Sequence, residues 1–295
     1  MGYGLSLLVL AVPSLALAHP SRTLVDDGRA NFGDVIKVQG TRQVARQLIR
    51  SSNNATPSKV IYLNNHGATL RPGDNDSGTQ HSSIVSEQTQ IAGWDIDQDS
   101  WNELVGCVQD MYARWDVTVT DQDPGADVSH VEALIGGSPL DVGLPVNVAG
   151  VSPFTQDCGV IPKSIVYTFT DVLDDNPQLI CEIVSQEIAH SYGLDHELLA
   201  EDPMTYLDYA GPRSFQDQMA HCGEYDQRDC GINGNVCRNM QSSVQMLDER
   251  LGTADSATVH AERAGDVGGC AATSRGGWLA GVGIALFAVF RRRRP

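Results

Sequence analysis

The segment from Gln186 to His196 constrains the fold of this chain more than any other. The preceding Asn176-Pro177 predicts a helix start, because Asn is a favoured N-cap and Pro suits the first helical position. Apolar residues then recur at helical spacing, at Leu179, Ile180, Ile183, Val184 and Ile188. On such a helix residues 186 and 190 lie one turn apart, so two metal-ligating side chains share one face.

The end of this helix brings a third polar side chain to the same place. Gly193 fits the left-handed position that ends a helix, and the turn would return His196 toward His190. Gln186, His190 and His196 would then form three corners of a tetrahedral metal site with water at the fourth. Glu187 would reach that water rather than the metal and accept its proton.

The segment is similar to the zinc motif H-E-x-x-H-x-x-G-x-x-H of the metzincin metallopeptidases, with Gln in place of the first His. Asp202-Pro203-Met204-Thr205-Tyr206 resembles the turn that places a methionine beneath the metal, at the spacing of matrixin-like members. Tyr206 matches the metal-proximal tyrosine of astacin-like and serralysin-like members. The resemblance implies zinc, peptide-bond hydrolysis with Glu187 as general base, and stabilisation of the oxyanion by Tyr206.

Gln186 is the departure from the motif. A Gln-first variant is known among the gametolysin-like metzincins, and a Gln amide oxygen can ligate a metal. As a neutral, hard donor it suits zinc less well than imidazole does, so we expect weaker Zn²⁺ affinity or another metal such as Cu²⁺. The opposing interpretation is that Gln186 marks an inactive peptidase. His66 or His221 could replace Gln186, although nothing local supports either.

The strand and helix patterns predict an α/β fold of zincin type. We expect strands at residues 59–63, 116–120, 130–135, 145–151 and 164–170. A capping box at Ser100-Trp101-Asn102-Glu103 predicts a helix with the apolar face Leu104, Val108, Met111 and Trp115, and a last helix is expected near 242–251. The resemblance implies a five-stranded, mostly parallel twisted sheet with an antiparallel edge strand at 145–151, two long helices and a smaller Cys-rich C-terminal subdomain.

The sequences at both ends of the chain predict that the protein is exported from the cytoplasm. Residues 1–18 resemble a signal peptide, with Ala16-Leu17-Ala18 as its cleavage site. Gly268-Gly269-Cys270, the apolar residues 276–290 and Arg291–Arg294 are similar to the myxobacterial type of C-terminal sorting tag. The tag implies processing or lipidation at Cys270 and display on the cell surface. A plain membrane anchor is the alternative.

These features divide the chain into five parts. We expect a signal peptide at 1–18, a leader or pro-segment at 19–57, a metallopeptidase domain at 58–252, a linker at 253–269 and the sorting tag at 270–295.

The net charge of the chain limits the classes of molecule that it is expected to bind. The chain has 20 Lys and Arg against 37 Asp and Glu, a formal net charge of −17, which disfavours nucleic acid and anionic lipid. Protein or peptide substrates and the export and sorting machinery are the expected partners, and a monomer is assumed.

Six cysteines remain when Cys270 is set aside, which suits up to three disulfides in an oxidising compartment: Cys107, Cys158, Cys181, Cys222, Cys230 and Cys237. The spacing does not give their pairing. A metal cluster at Cys222, Cys230 and Cys237 is the alternative. Asp95, Asp97 and Asp99 alternate like the start of a Ca²⁺ loop, but surface acids before a capped helix are the preferred interpretation.

The sequence thus supports a secreted, surface-sorted metalloendopeptidase. Its main competitor is an inactive binding or adhesion protein of the same fold at the cell surface. A metal with a structural role alone is a third hypothesis.

Overall fold

The computed structural model describes residues 55–232 and 235–254. The predicted signal peptide, most of the leader, nearly all of the linker and the tag at Cys270 lie outside the described residues. Within the described part of the chain, no helix is long and apolar enough to cross a membrane.

Ten strands and three α-helices make up the described structure. The strands are β1 (Val60–Asn64), β2 (Gly67–Pro72), β3 (His81–Ser82), β4 (Thr89–Ala92), β5 (Thr118–Thr120), β6 (Val131–Ile135), β7 (Gly150–Val151), β8 (Ile165–Thr168), β9 (Ala220–His221) and β10 (Met240–Gln241). The helices are α1 (Gln98–Tyr112), α2 (Pro177–Ser191) and α3 (Ser243–Leu251).

A five-stranded sheet in the order β5-β1-β6-β8-β7 forms the centre of the fold. The pairs β1–β5, β1–β6 and β6–β8 are parallel, whereas β7 runs antiparallel to β8 at one edge. This arrangement confirms the predicted mostly parallel sheet with an antiparallel edge strand. The edge strand is shorter than expected, because only Gly150–Val151 of residues 145–151 pair with β8.

The two faces of the sheet bury different parts of the chain. Side chains of Ile61, Val131 and Val166 pack with apolar residues of α1 and α2 in the larger core. The alternate residues Leu134 and Tyr167 face the other way and pack against Leu70 and Ile91, as expected where successive side chains point to opposite faces. A small three-stranded sheet in the order β3-β2-β4 thus covers the second face of the five-stranded sheet. This small sheet was not predicted from the sequence.

The first long helix differs from its prediction at both ends. Its N-cap is Asp97 rather than Ser100, because the Asp97 carboxylate accepts hydrogen bonds from the backbone of Asp99 and Ser100. The helix ends at Tyr112, so Trp115 lies beyond it, although Trp115 is still buried in the same core. Asp97 therefore has a structural role as a cap, in line with the preferred interpretation of the alternating acids.

Three disulfides cross-link the fold. They join Cys107 to Cys181, Cys158 to Cys237, and Cys222 to Cys230. The first ties α1 to α2, and the other two fasten the loop-rich segment that follows α2. Because all of these sulfurs are paired, the alternative of a metal cluster at Cys222, Cys230 and Cys237 is wrong.

Removing the disulfides should test how each constrains the unfolded chain. The Cys107–Cys181 bridge spans 74 residues and Cys222–Cys230 spans 8. Chain entropy then predicts that replacing the long-range pair by Ser costs about 2 kcal/mol more of unfolding free energy than replacing the short-range pair. Urea unfolding of the two double variants measures this difference. Equal losses would show that local packing, and not loop closure, dominates.

Candidate functional site

The helix α2 carries the first half of the site. Its start is determined by residues that favour helix initiation. Asn176 caps it by accepting a hydrogen bond from the Leu179 backbone, and Pro177 occupies its first turn, as predicted. Every residue from Ile180 to Ser191 is buried. Gln186, Glu187 and His190 therefore lie on a central core helix and not on a solvated one, which makes any polar side chain there costly unless it is paired or used.

Gly193 ends this helix with a left-handed backbone, at a φ of 86°. Its amide donates a hydrogen bond to the His190 carbonyl, at 2.9 Å. A Cβ at this position would lie 2.2 Å from the carbonyl oxygen of Cys158. Both the backbone angle and the close approach therefore require glycine here, and the turn returns the chain toward α2.

The returning chain places His196 beside His190. The two Nε2 atoms are 3.1 Å apart and the ring centroids are 4.7 Å apart. Both side chains are almost fully buried, at 0% and 2% exposure. The two histidines that the sequence analysis assigned to one site therefore share one point in space.

Each imidazole is held through its other nitrogen. His190 Nδ1 donates to the Leu194 carbonyl at 2.7 Å, and His196 Nδ1 donates to Glu224 Oε1 at 3.3 Å. With both Nδ1 atoms bonded to oxygen, the two Nε2 atoms are turned toward one another. Burial and the neighbouring His196 lower the pKa of His190 to about 3, which keeps that ring neutral. Two facing lone pairs repel unless a proton or a metal cation lies between them.

Glu224 belongs to a charged network behind His196. Arg228 donates to Glu224 Oε1 at 2.7 Å and binds both oxygens of Asp195, at 2.6 and 2.9 Å. Burial alone would raise the pKa of Glu224, but hydrogen bonds from His196 and Arg228 outweigh it and lower the pKa well below its usual range. The ionised carboxylate therefore fixes the orientation of His196, as second-layer partners do for metal-ligating histidines.

Sequence reasoning missed this network. Asp195 occupies a variable position of the motif, and Glu224 and Arg228 lie far beyond it in the chain. The Cys222–Cys230 disulfide closes the loop that carries both residues. Only the clustering of cysteines around Glu224 and Arg228 could have drawn attention to them.

Glu187 lies next to the histidines on α2 and is fully buried. Its carboxylate packs against the edge strand β7, where a Cβ on Gly150 would come within 2.7 Å of Glu187 Oε1. The glycine thus leaves room for the carboxylate beside the backbone of the edge strand. The predicted general base therefore lies between α2 and the buried edge strand β7.

Gln186 is buried one helical turn before His190. It lines a small cavity together with Pro203 and Thr205, which flank the predicted methionine in the chain. Gln186 therefore lies at the junction of α2 and that turn.

The turn at residues 202–205 is buried. Met204 is fully buried in the larger core. Its amide donates to Asp202 Oδ1 and its carbonyl accepts from the Glu197 amide. Tyr206 follows with its ring centroid 4.4 Å from that of His196. Tyr206 thus contacts the histidine pair, and the unpredicted Phe154 meets His190 edge-on, with ring centroids 5.8 Å apart.

Other candidate ligands do not join this cluster. Across residues 55–232 and 235–254, no group of three or more His, Cys, Asp or Glu side chains could hold a metal ion. His66 and His221 are therefore not placed to replace Gln186, whose amide is the third donor of the predicted set. Cys270 lies outside the described residues.

The chain matches no protein-family model, and no curated protein is significantly similar to it in sequence. The function is therefore inferred from the geometry of the site.

Replacing Gly193 by Ala should strongly destabilise the protein. The left-handed backbone and the 2.2 Å approach to Cys158 both oppose a Cβ, and we expect a loss of more than about 2 kcal/mol of unfolding free energy. Gly106→Ala on α1 is the matched control, because a Cβ there meets nothing within 4 Å and should stabilise the helix by up to about 1 kcal/mol. Chemical denaturation measures both, and similar changes would refute the assigned role of Gly193.

Proposed function

We propose that this protein is a metalloendopeptidase of metzincin type. In this proposal Gln186, His190 and His196 hold a divalent metal ion, Zn²⁺ or Cu²⁺, and Glu187 is the general base. One observation carries it: the Nε2 atoms of His190 and His196 face each other at 3.1 Å while both Nδ1 atoms are already bonded to oxygen.

The donor set fits a metal ion. Two nitrogens bound tetrahedrally to one zinc ion at about 2.1 Å are roughly 3.4 Å apart, close to the spacing of this pair. Hydrogen bonds from the remote nitrogens to a carbonyl and a carboxylate are the usual support for ligating histidines. A shared proton would explain the histidine pair alone, but it would not explain a buried carboxylate at Glu187 beside the edge strand.

The residues of the site suit peptide hydrolysis. A bound metal ion would polarise the scissile carbonyl and acidify the attacking water. Glu187 would accept the proton of that water and then donate it to the leaving amine. Tyr206, in contact with His196, would stabilise the oxyanion. The antiparallel strand β7 is at the edge of the sheet, so an extended substrate would pair with its backbone beside Glu187.

The proposed setting is outside the cytoplasm. Three disulfides suit an oxidising compartment, where a secreted or surface-sorted enzyme would fold. The cleavage site after Ala18 and the tag at Cys270 support the same route, with processing at the cell surface.

The neutral side chain of Gln186 supports one alternative function. A neutral amide in place of imidazole weakens a zinc site, which suits a surface binding protein that keeps the fold without turnover. Calcium at Asp95, Asp97 and Asp99 is not part of the proposal, because Asp97 already caps α1.

Replacing Glu187 by Gln tests the mechanism. We expect metal content to stay the same and casein digestion to fall by about 10²- to 10⁴-fold, since the general base is lost while the ligands remain. His196→Ala should instead lose the metal, and His221→Ala serves as the matched control that should keep both metal and activity. Mass spectrometry of bound metal and a casein assay measure these effects.

Undiminished digestion by the Glu187→Gln variant would contradict the mechanism. A parent protein that holds metal but digests nothing would support the binding protein instead.

Restoring the motif with Gln186→His tests the third ligand. If the amide is a ligand, imidazole should raise zinc affinity by about tenfold or more, because borderline-soft zinc prefers nitrogen over a neutral oxygen. Competition with a chromophoric chelator measures the change. The neighbouring Gln178→His variant on the same helix is the control, and an equal gain there would show that any added histidine suffices.

A further inference from the structure

A second cavity lies on the sheet face turned away from α1 and α2. Its volume is about 540 Å³. Tyr62, Asn64 and Glu132 line it from strands β1 and β6, while Gln80 and Asp123 line it from loops. The proposed peptidase function makes no use of it.

Glu132 is the unexpected residue of this cavity. It is 1% exposed in the middle of β6, whose other four residues are all apolar. Asn64 Nδ2 donates to its Oε1 at 2.8 Å and Gln80 Nε2 donates to its Oε2 at 2.6 Å. A carboxylate is costly at such a position unless it is compensated or used, because an apolar residue would pack there without desolvation cost.

Gln80 is held in an unusual conformation to reach Glu132. Its φ of 57° and ψ of 41° are left-handed, which is uncommon for a residue other than glycine. The same side-chain nitrogen also donates to the Ser77 carbonyl at 2.9 Å. Its buried Oε1 accepts no hydrogen bond from the described part of the chain.

Acidic side chains line the cavity. Glu132 and Asp123 are acidic, His66 and His130 also line the cavity, and none of the lining residues is Lys or Arg. Burial and the acids Glu132, Asp123 and Asp121 raise the pKa of Tyr62 to about 12, so its ring is neutral and its face can attract a cation. Burial also raises the pKa of Glu132, against the hydrogen bonds from Asn64 and Gln80; a bound cation would favour its ionised form.

We propose that this cavity binds an organic cation through an ammonium or guanidinium group. The group would donate to the remaining lone pairs of Glu132, with Asp123 at the rim and Tyr62 against its apolar part. A metal ion fits less well, because amides already occupy one position on each Glu132 oxygen and the volume far exceeds that of one ion. The cation can come from a free amine or from a Lys or Arg side chain of a peptide.

Isothermal titration of the full chain with agmatine tests the proposal. We expect saturable binding that Glu132→Gln weakens by about tenfold or more, because a hydrogen bond to a charged group is lost. Glu87→Gln makes the same charge change at an exposed site outside the cavity and should leave the affinity unaltered. Asp123→Asn, at the exposed rim, is a second variant that does not disturb the core and should weaken binding to a smaller extent.

A second titration uses an arginine peptide that is acetylated and amidated at its ends. It distinguishes a free amine from a peptide side chain as the natural ligand. Stronger binding of agmatine than of the peptide indicates a free amine, and the reverse indicates a side chain. The proposal is overturned if the uncharged N-butylurea binds as well as agmatine. It is also overturned if Ca²⁺ binds and neither organic cation does, or if neither acidic variant changes the affinity for agmatine.

Discussion

The facing nitrogens of His190 and His196 are the interaction on which the site depends. Two imidazoles with their remote nitrogens already bonded to oxygen turn electron-rich atoms toward each other across 3.1 Å. Such a pair is stable only with positive charge between its members. The surrounding structure is arranged to keep the two rings at this spacing: α2 fixes His190, the turn at Gly193 returns the chain, and Glu224 orients His196.

The sheet places an edge strand beside the buried Glu187 carboxylate. The antiparallel strand β7 has β8 on one side only, and both of its residues are buried. Gly150 leaves space for the Glu187 carboxylate at that strand. Glu187, which comes from the same short segment as the histidines, thus lies beside a strand from an earlier part of the chain.

Much of this arrangement is local and could be predicted from the sequence. The start of α2, the glycine turn, the histidine spacing and the strand order each follow from neighbouring residues or from the family resemblance. Contacts made by long-range packing could not be predicted. The Arg228–Asp195–Glu224 network depends on how a cross-linked loop folds back, and the small sheet of β2, β3 and β4 has short strands with weak patterns. The N-cap of α1 was misplaced because Asp97 and Ser100 are both good caps, and only the backbone geometry decides between them.

The disulfide between Cys222 and Cys230 has a consequence beyond rigidity. It closes the loop that presents Glu224 to His196 and Arg228 to Asp195. In a reducing environment the long helix could still fold, but the support behind His196 would rest on ion pairs alone. The orientation of His196 is in this way tied to thiol oxidation, because a reduced loop would hold Glu224 and Arg228 less firmly behind the ring.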